Sequence, residues 1–429
     1  MTADANTPGG LPPALSGSGG LDERAWSTWI ERAALFALVL TVLKGLRMPS
    51  RWAMTHYLIT YKIGFVKRGL WGEVLWRVVG RATSDYFVLA AVAFAVFSAL
   101  LALVVFVLRR LPPSADRAPF LLCFCSLPAL SFLTHVVGYA EHLAYLAVVA
   151  VITLRRSWVA QVVAATTAAA VVPFVHEAAV LWIGPPLALV LVVSPALRRH
   201  PPRARLATLG VLVLTLAAST WTAAIRGGLP REYVDILRDD RTRFASFRPR
   251  QDAFEALRAG RELPLATMSQ RWPDRETRRQ MAYSVAVFGP GAFFLAWLGA
   301  RRSLRLDASP TVRRAAALLV VTSAAAPLAL HGLGWDLERW NADAAISAGL
   351  AALVLVGTDT APVTSARALS RQARALGLAL MLAVWGTSSY LVLFDRYAPS
   401  YAPFRDRVYF LEQAIKTRDP ELWLPMQGN

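Results

Sequence analysis

The sequence predicts an all-α, polytopic integral membrane protein of about eleven transmembrane helices, with an amphipathic first outer loop and one long outer loop. Three observations lead to this fold class. The 429 residues are 55% hydrophobic with a mean hydropathy of +0.42. Apolar runs approaching the length of a bilayer-spanning helix recur along the chain. Arginines cluster at the ends of those runs, as expected for the loops of a membrane protein.

The net charge of +18 does not indicate nucleic acid. Because the basic residues lie at the ends of apolar runs, topology and anionic lipid headgroups account for them. Membrane lipids are therefore the expected partners. Cys123 and Cys125 stand two apart and point to different helix faces. No HExxH, Walker, GxGxxG or nucleophile-elbow motif occurs, so neither a metal nor a cofactor is predicted.

The chain divides into a tail, a helical domain and a second tail. Residues 1–24 lack periodicity and are predicted to form a disordered cytoplasmic tail. The transmembrane domain covers 25–394 and includes the long outer loop at 225–281, which is expected to form two short surface helices. An outer tail follows at 395–429. The predicted spans are 33–43, 86–108, 118–134, 139–154, 158–174, 178–193, 206–224, 282–300, 315–330, 343–356 and 375–394.

The charge of the short connections predicts the orientation. Arginine-rich connections alternate with connections that hold few or no basic residues. The positive-inside rule places the arginine-rich set and the N-terminus in the cytoplasm, and the C-terminus outside. The loop at 225–281 is also outside, and its arginines do not oppose this because the rule applies to short loops.

The first outer loop contains the stretch YKIGFVKRGLWGEVLWRVVGR at 61–81. Lys67 and Arg68 come directly before an amphipathic helical pattern, so the positive N-terminal end of a surface-lying helix would carry two cations. Such an end suits a phosphate, and Tyr61 opens the same stretch. The alternative is a simple membrane anchor that uses Trp71 and Trp76.

Unusual polar residues collect in the connections predicted to lie outside. The fourth span has only about 18 Å of apolar length against a hydrocarbon core of about 30 Å, so Glu141 and His142 are expected at membrane depth. The tenth span is similarly short. Ionisable residues at such depth normally face a polar cavity. The sequence therefore predicts an outward-opening crevice with Glu141, His142, His176, Glu177, His331, Asp336 and Arg339.

Two of these motifs have structural alternatives. Asp336 and Arg339 are three residues apart and are expected to form an intrahelical ion pair if they serve only stability. His176 and Glu177 are adjacent, so they do not face each other on a helix and would cap or lock the turn between two spans.

The architecture resembles polyprenyl-phosphate-dependent glycosyl-transfer enzymes of bacterial inner membranes. Two groups are similar at this level: the GT-C glycosyltransferases and the polymerases of O-antigen or exopolysaccharide repeat units. The resemblance covers most of the chain, and YKIGFVKRGLWG is its most family-like motif. GT-C enzymes have an acidic residue early in the first outer loop, whereas the first acid after the first span here is Glu73. No catalytic base is therefore carried over.

The resemblance implies glycosyl transfer at the outer face of the bacterial cytoplasmic membrane, from a polyprenyl-linked sugar donor to a glycan acceptor. The leaving phosphate needs cations and the acceptor hydroxyl needs a base. Substrate and phosphate contacts are assigned to Lys67, Arg68, Arg339, Tyr61 and His142, and catalytic roles to Glu141, Glu177, Asp336, His176 and His331. The alternative is a transporter or lipid-linked-sugar flippase. A third hypothesis is a scaffold that binds other envelope polysaccharide proteins.

Overall fold

The computed structural model describes residues 19–46, 48–112, 114, 116–154, 157–258, 273–332 and 336–358. Every regular element in those ranges is helical, which confirms the predicted all-α class. The first helix begins at Gly19, inside the tail predicted at 1–24. The last predicted span at 375–394 and the tail at 395–429 lie outside the described residues.

The described ranges hold sixteen α-helices and four short turns of other helical type. Short 3₁₀ turns occur at Gly80–Ser84, Glu177–Ala179 and Ala326–Gly332, and a π turn occurs at Thr222–Arg226. The helices are α1 (Gly19–Gly45), α2 (Arg51–Leu58), α3 (Gly69–Val79), α4 (Tyr86–Arg109), α5 (Arg117–Cys125), α6 (Pro128–His135), α7 (Ala140–Thr153), α8 (Trp158–Val175), α9 (Val180–Val193), α10 (Pro195–Arg198), α11 (Pro202–Trp221), α12 (Arg231–Phe244), α13 (Gln251–Glu255), α14 (Arg275–Ser303), α15 (Pro310–Ala325) and α16 (Leu337–Val356).

Five helices in the described ranges are long and apolar enough to cross a membrane, and a sixth candidate is the bent pair α5 and α6. The predicted spans at 33–43, 139–154, 178–193 and 343–356 all lie in helices that do not meet both requirements. The protein is thus a helical membrane protein with five to six candidate spans, and eleven spans remain a prediction. The five are Tyr86–Arg109, Trp158–Val175, Pro202–Arg226, Thr277–Ser303 and Pro310–Gly332.

Helix α16 lies at the centre of the bundle. Almost all of its residues are buried, and α5, α6, α9, α14 and α15 pack against it. Its many alanines and Gly349 allow close approach, since a Cβ atom at Gly349 would lie 2.7 Å from the Phe124 ring. Asn341 Nδ2 donates to Ser284 Oγ of α14 at 2.9 Å, and Ser347 Oγ donates to the Trp182 carbonyl of α9 at 3.1 Å. These polar contacts fix α16 against two neighbours.

Arg302 of α14 satisfies the C-terminal end of α16. Its buried guanidinium donates from Nε to the Leu355 carbonyl at 2.8 Å and from Nη1 to Asp116 Oδ2 at 2.9 Å. The last carbonyls of a helix have no partner within the helix and carry the negative end of its dipole. Arg302 therefore supplies both the donors and the charge that this end requires.

The pair α2 and α3 forms a separate layer at one end of the bundle. Ser50 caps α2 by accepting from the Ala53 N–H at 3.2 Å. Helix α3 then packs so closely on the end of α2 that a Cβ atom at Gly72 would lie 2.0 Å from the carbonyl oxygen of Ile59. Only glycine fits there without displacement of the backbone.

The segment at 227–258, here called the α12–α13 segment, covers this layer. The Lys67 N–H donates to the Gly227 carbonyl at 2.8 Å, and the Arg250 N–H donates to Thr55 Oγ1 at 2.8 Å. A small apolar cluster that includes Ile59, Val66, Leu229, Val234, Leu237, Phe254 and Leu257 lies beneath it. The segment thus holds α2 and the start of α3 in place.

We expect Gly72→Ala to destabilise the protein, because the added methyl group meets backbone that cannot move aside. Overpacking in a close-packed interior costs about 1–3 kcal/mol. Thermal unfolding of the purified protein in detergent, followed by intrinsic fluorescence, measures the change.

Gly210→Ala is the matched control for this variant. Gly210 lies inside α11, and a Cβ atom there meets no atom within 4 Å. Alanine in a helix interior is more favourable than glycine by about 0.5–1 kcal/mol, so this variant should be as stable as wild type or more so. Equal melting temperatures for the two variants would contradict the close packing of α3 on α2.

Candidate functional site

Side chains from several helix ends meet in one small cleft, here called the cationic cleft. The end of α2, the start of α3, the start of α7, the end of α8 and the start of α16 contribute to it. Its empty space, part of which is open to solvent, amounts to about 390 Å³. Its polar lining is two arginines and two histidines, and aromatic rings form its walls. These residues are Arg68, Arg339, His56, His176, Trp52, Tyr57, Trp71 and Tyr139.

Arg68 occupies an unusual backbone position at the start of α3. Its φ of 64° is left-handed, and no other non-glycine residue in the described ranges has a positive φ. Its guanidinium makes a two-pronged ion pair with Glu177, from Nε to Oε2 at 2.9 Å and from Nη2 to Oε1 at 2.7 Å. Strained residues persist where the surroundings determine their conformation. The fork to Glu177 therefore orients the Arg68 guanidinium.

Arg339 is the second cation of the cleft and is almost fully buried at 4% exposure. It pairs with Glu141 of α7, and its Nη1 donates to Asp336 Oδ2 at 3.2 Å. The guanidinium carbon lies 4.9 Å from the centre of the Tyr139 ring and 5.9 Å from that of Trp52. Aromatic faces add to the stabilisation of a desolvated guanidinium. The cation is therefore held by charge on one side and by rings on the other.

Carboxylates continue from this pair into the bundle. Asp343 Oδ1 of α16 accepts from the Tyr145 hydroxyl of α7 at 2.7 Å. Within the described part of the chain, Glu141 Oε2 and Asp343 Oδ2 are buried without a hydrogen-bond donor. Three carboxylates thus surround Arg339.

The two cleft histidines have opposite tautomers. His56 Nδ1 lies 2.9 Å from the Trp52 carbonyl, which can only accept, so Nδ1 carries the proton and Nε2 is a bare acceptor. His176 Nδ1 accepts from the Ala178 N–H at 3.2 Å, so its Nε2 carries the proton. Burial and the charge of Arg68 lower the pKa of His56 to about 3 and lower that of His176 well below its usual value. Both rings are neutral at pH 7.

Two residues predicted from the first outer loop flank the cleft without lining it. Lys67 is partly buried, and burial lowers the pKa of its ammonium group. The Tyr61 N–H donates to Glu73 Oε2 at 3.1 Å and its ring stacks on Phe65. Burial raises the pKa of Tyr61 to about 12. Of the predicted pair Lys67 and Arg68, only Arg68 presents its side chain to the cleft.

Two predicted histidines also lie outside the cleft lining. The ring nitrogens of His142 lie 3.1 and 3.0 Å from the carbonyls of Tyr139 and Leu133, so a backbone carbonyl accepts from whichever nitrogen carries a proton. His331 Nε2 lies 3.4 Å from Asn341 Oδ1, and its ring packs edge-on against Trp340. Their contacts give both residues a packing role in this structure.

An apolar cavity with about 490 Å³ of empty space lies between α1, α4, α6, α7 and α16. Its lining includes Leu38, Phe97, Val104 and Ile346. Tyr145 also lines it, and the hydroxyl of Tyr145 reaches Asp343 in the carboxylate cluster around Arg339. Tyr145 therefore contacts both the apolar cavity, through its ring, and the carboxylate cluster, through its hydroxyl.

No protein-family model, curated protein or solved structure matches this chain. Among the residues that the structure describes, no group of three or more histidine, cysteine, aspartate or glutamate side chains is arranged to hold a metal ion.

We expect Arg339→Met to destabilise the fold by about 3–5 kcal/mol, because it leaves Glu141 charged and buried. Arg77→Met is the matched control. Arg77 pairs with Glu73 on the surface of α3, and its side chain is 77% exposed, so its loss should cost about 0–1 kcal/mol. Thermal unfolding in detergent measures both variants.

The double variant Glu141→Gln/Arg339→Met tests the cause of this loss. Removal of both charges should recover much of the stability, since no unpaired glutamate is left at that position. A double variant that is no more stable than Arg339→Met would show that the pair itself is not what holds this corner together.

Proposed function

We propose that this protein is a glycosyl-transfer enzyme of the bacterial cytoplasmic membrane. It acts at the outer face, takes sugar from a polyprenyl phosphate or pyrophosphate, and passes it to a glycan acceptor in envelope or exopolysaccharide assembly. One observation carries the proposal: Arg68 and Arg339 face the same aromatic-walled cleft. Two preorganised guanidiniums suit a leaving phosphate, whose negative charge grows as the glycosidic bond breaks. The proposed reaction needs no cofactor.

Arg68 is the cation best placed to meet a phosphate. Its Nε and Nη2 groups hold Glu177, and no described residue accepts from its Nη1 group. Arg339 is more enclosed, since Glu141 and Asp336 both contact it. Arg68 is therefore assigned the direct hydrogen bond to the phosphate. Arg339 is assigned an electrostatic contribution without direct contact.

The predicted carboxylates are assigned a positioning role. Glu141, Glu177 and Asp336 are each ion-pair partners of a cleft arginine. A carboxylate that forms an ion pair with a guanidinium is already held by a cation and is poorly placed to take a proton from a substrate. These groups instead hold the two cations in the geometry that the phosphate needs.

The remaining surfaces suit the other parts of a lipid-linked sugar. Trp52 and Tyr139 stack with ring centres 5.0 Å apart and offer an apolar face beside the arginines. The apolar cavity behind Tyr145 has the chemistry to accept part of a prenyl chain. A flat ring, a phosphate site and an apolar cavity are the three features that such a donor requires.

The proposed topology has eleven spans. Beside the five candidate spans and the bent pair, the short apolar helices α7 and Glu177–Val193 would cross, with their polar first residues within the outer half of the membrane. The predicted spans at 33–43, 343–356 and 375–394 complete the eleven. The N-terminus would be cytoplasmic, and the α12–α13 segment and the tail at 395–429 would be outside. The cationic cleft then opens toward the compartment where the glycan acceptor lies.

The second candidate is a transporter or lipid-linked-sugar flippase. It is favoured by Glu141 and Asp343, which carry buried carboxylate oxygens without donors among the described residues. Such groups form proton or substrate paths in transporters. The same cleft would then bind the phosphate for translocation and break no bond.

Deletion of the gene in its own cell, followed by mass spectrometry of lipid-linked saccharides, separates these functions. A glycosyltransferase predicts a truncated lipid-linked unit, and a polymerase predicts completed units that accumulate at the outer face. Build-up at the cytoplasmic face would favour a flippase. An unchanged set of lipid-linked saccharides would contradict both proposals.

Complementation of the deletion tests Arg68. Loss of one hydrogen bond to an ionised group costs about 1.5–3 kcal/mol, so Arg68→Ala should lower turnover roughly 10- to 150-fold by that energy. Arg68→Lys should fall between Arg68→Ala and wild type, because ammonium lacks the planar fork. Immunoblots establish equal abundance.

The control for this series is Arg77→Ala, which removes an exposed arginine from the same helix. It should retain wild-type turnover. An anchoring role would produce a different pattern: full activity for Arg68→Lys together with loss of activity for Trp76→Ala. That pattern would rule out the phosphate site.

A further inference from the structure

His56 lines the cationic cleft and carries a ring nitrogen that accepts no hydrogen bond from the described residues. It lies in the last turn of α2, and its ring packs on Trp52, four residues earlier, with ring centres 3.9 Å apart. The hydrogen bond from Nδ1 to the Trp52 carbonyl at 2.9 Å fixes both the tautomer and the ring orientation. Nε2 is buried and has no hydrogen-bond partner among the described residues. A buried acceptor without a donor is costly and points to a ligand that supplies one.

The groups around His56 explain why it stays neutral. Arg68 and Arg339 face it as cations, Glu177 faces it as an anion, and the neutral His176 stands nearby. All except Glu177 are part of the cleft lining. The carboxylates of this region are already paired with arginines. His56 Nε2 is thus a neutral hydrogen-bond acceptor beside the two cations, without a donor among the described residues.

We propose that His56 Nε2 is the general base that takes the proton from the hydroxyl of the acceptor. This inference rests on the proposed glycosyl transfer and names the base within the same cleft. The ligand is a sugar hydroxyl, which donates the hydrogen bond that Nε2 lacks. A histidine positioned by a hydrogen bond from its other nitrogen to a carbonyl is a usual form of general base.

The step balances without any further reactant. The acceptor oxygen forms a bond to the anomeric carbon of the donor sugar, and the bond from that carbon to the phosphate oxygen breaks. The electron pair of the broken bond leaves with the phosphate, which Arg68 and Arg339 stabilise. The proton of the acceptor hydroxyl moves to His56 Nε2, and the ring becomes cationic.

Donor binding should make His56 a stronger base. In the free protein, burial and the two arginines lower the pKa of His56 to about 3. A phosphate bound at Arg68 and Arg339 would offset their positive charge at the His56 ring, so the pKa would rise when the donor is in place. The base therefore gains strength only when a leaving group is present, which protects the cleft from proton uptake while it is empty.

His176 cannot perform this step in the same geometry. Its Nδ1 accepts from the Ala178 N–H, so the nitrogen that remains carries a proton. It is suited to donate a hydrogen bond to a phosphate or sugar oxygen. The two histidines are thus assigned complementary roles, His56 as acceptor and His176 as donor.

The first test uses His56→Asn, whose side-chain amide can still donate to the Trp52 carbonyl but offers no basic nitrogen. Membranes from deletion cells that carry the variant are given the lipid-linked saccharide extracted from those deletion cells. Turnover should fall by about 10²- to 10⁴-fold, the usual worth of a general base. His200→Asn, outside the cleft, should match wild type. Near-wild-type turnover by His56→Asn would overturn the proposal.

A binding measurement separates chemistry from structure. Purified protein in detergent is titrated with farnesyl phosphate, and tryptophan fluorescence reports binding. His56→Asn should bind within about twofold of wild type, because the general base acts on the acceptor, whereas Arg68→Ala should bind at least about tenfold more weakly. Loss of binding by His56→Asn equal to that of Arg68→Ala would assign His56 to donor binding and overturn its role as base.

The dependence of turnover on pH gives a third readout. The wild-type rate should fall as pH drops through the pKa of donor-bound His56, since the protonated ring cannot accept a proton. The residual rate of His56→Asn should lack that step. An identical low-pH step in both proteins would overturn the proposal.

These results also distinguish failure of the His56 proposal from failure of the proposed glycosyl transfer. Failure of the proposed function would appear as unchanged lipid-linked saccharides in deletion cells and no binding of farnesyl phosphate by wild type. Failure of His56 alone would appear as altered saccharides and normal farnesyl phosphate binding, with full turnover by His56→Asn.

Discussion

The buried charge of Arg339 is the constraint on which the rest of the structure depends. A guanidinium this far from water is tolerated only with a partner close by, and Glu141 supplies it from α7. The contact sets the position of α7 against α16, and the hydrogen bond between Tyr145 and Asp343 fixes the same two helices one turn further on. Because α16 is surrounded by five other helices, its placement decides theirs.

The cleft follows the same rule as the bundle core. Each of its arginines pairs with a carboxylate from another part of the chain. Arg68 and Glu177 are 109 residues apart in sequence, yet they make a fork with two short hydrogen bonds. Cations held in this way need little reorganisation when charge develops on a substrate. The ion pairs stabilise the bundle, and under the proposed function the same contacts hold the two cations ready for the phosphate.

The sequence predicts the bounds of the helices better than it predicts which residues of different helices contact one another. Apolar runs place α4 and α8 almost to the residue, whereas α14 begins at Arg275 and not near residue 282. Its first turns are polar, and the start is set by Asp274, which accepts from the Thr277 N–H at 2.9 Å.

The candidate site could be predicted only in part. Charge and expected membrane depth identify Arg68, Glu177, Glu141 and Arg339 in the sequence, but no local pattern shows which of them form pairs. His56 is not predicted as a site residue because α2 has only eight residues and no apolar run. The only sequence signals of α2 are Ser50 as an N-cap and the four-residue spacing of Trp52 and His56.

The backbone of the α12–α13 segment makes part of its attachment to the layer beneath it, beside side-chain contacts such as the one from Arg241 to Thr60. The Gly227 carbonyl and the N–H groups of Ser246 and Arg250 make the backbone contacts, with partners on Lys67, Ser84 and Thr55. Main-chain groups are common to nearly all amino acids, and proline alone lacks the N–H that two of these positions use. Exposed side chains of the segment are therefore free to vary while its attachment persists. The exposed surface of the segment can therefore change in evolution while the layer of α2 and α3 beneath it stays the same.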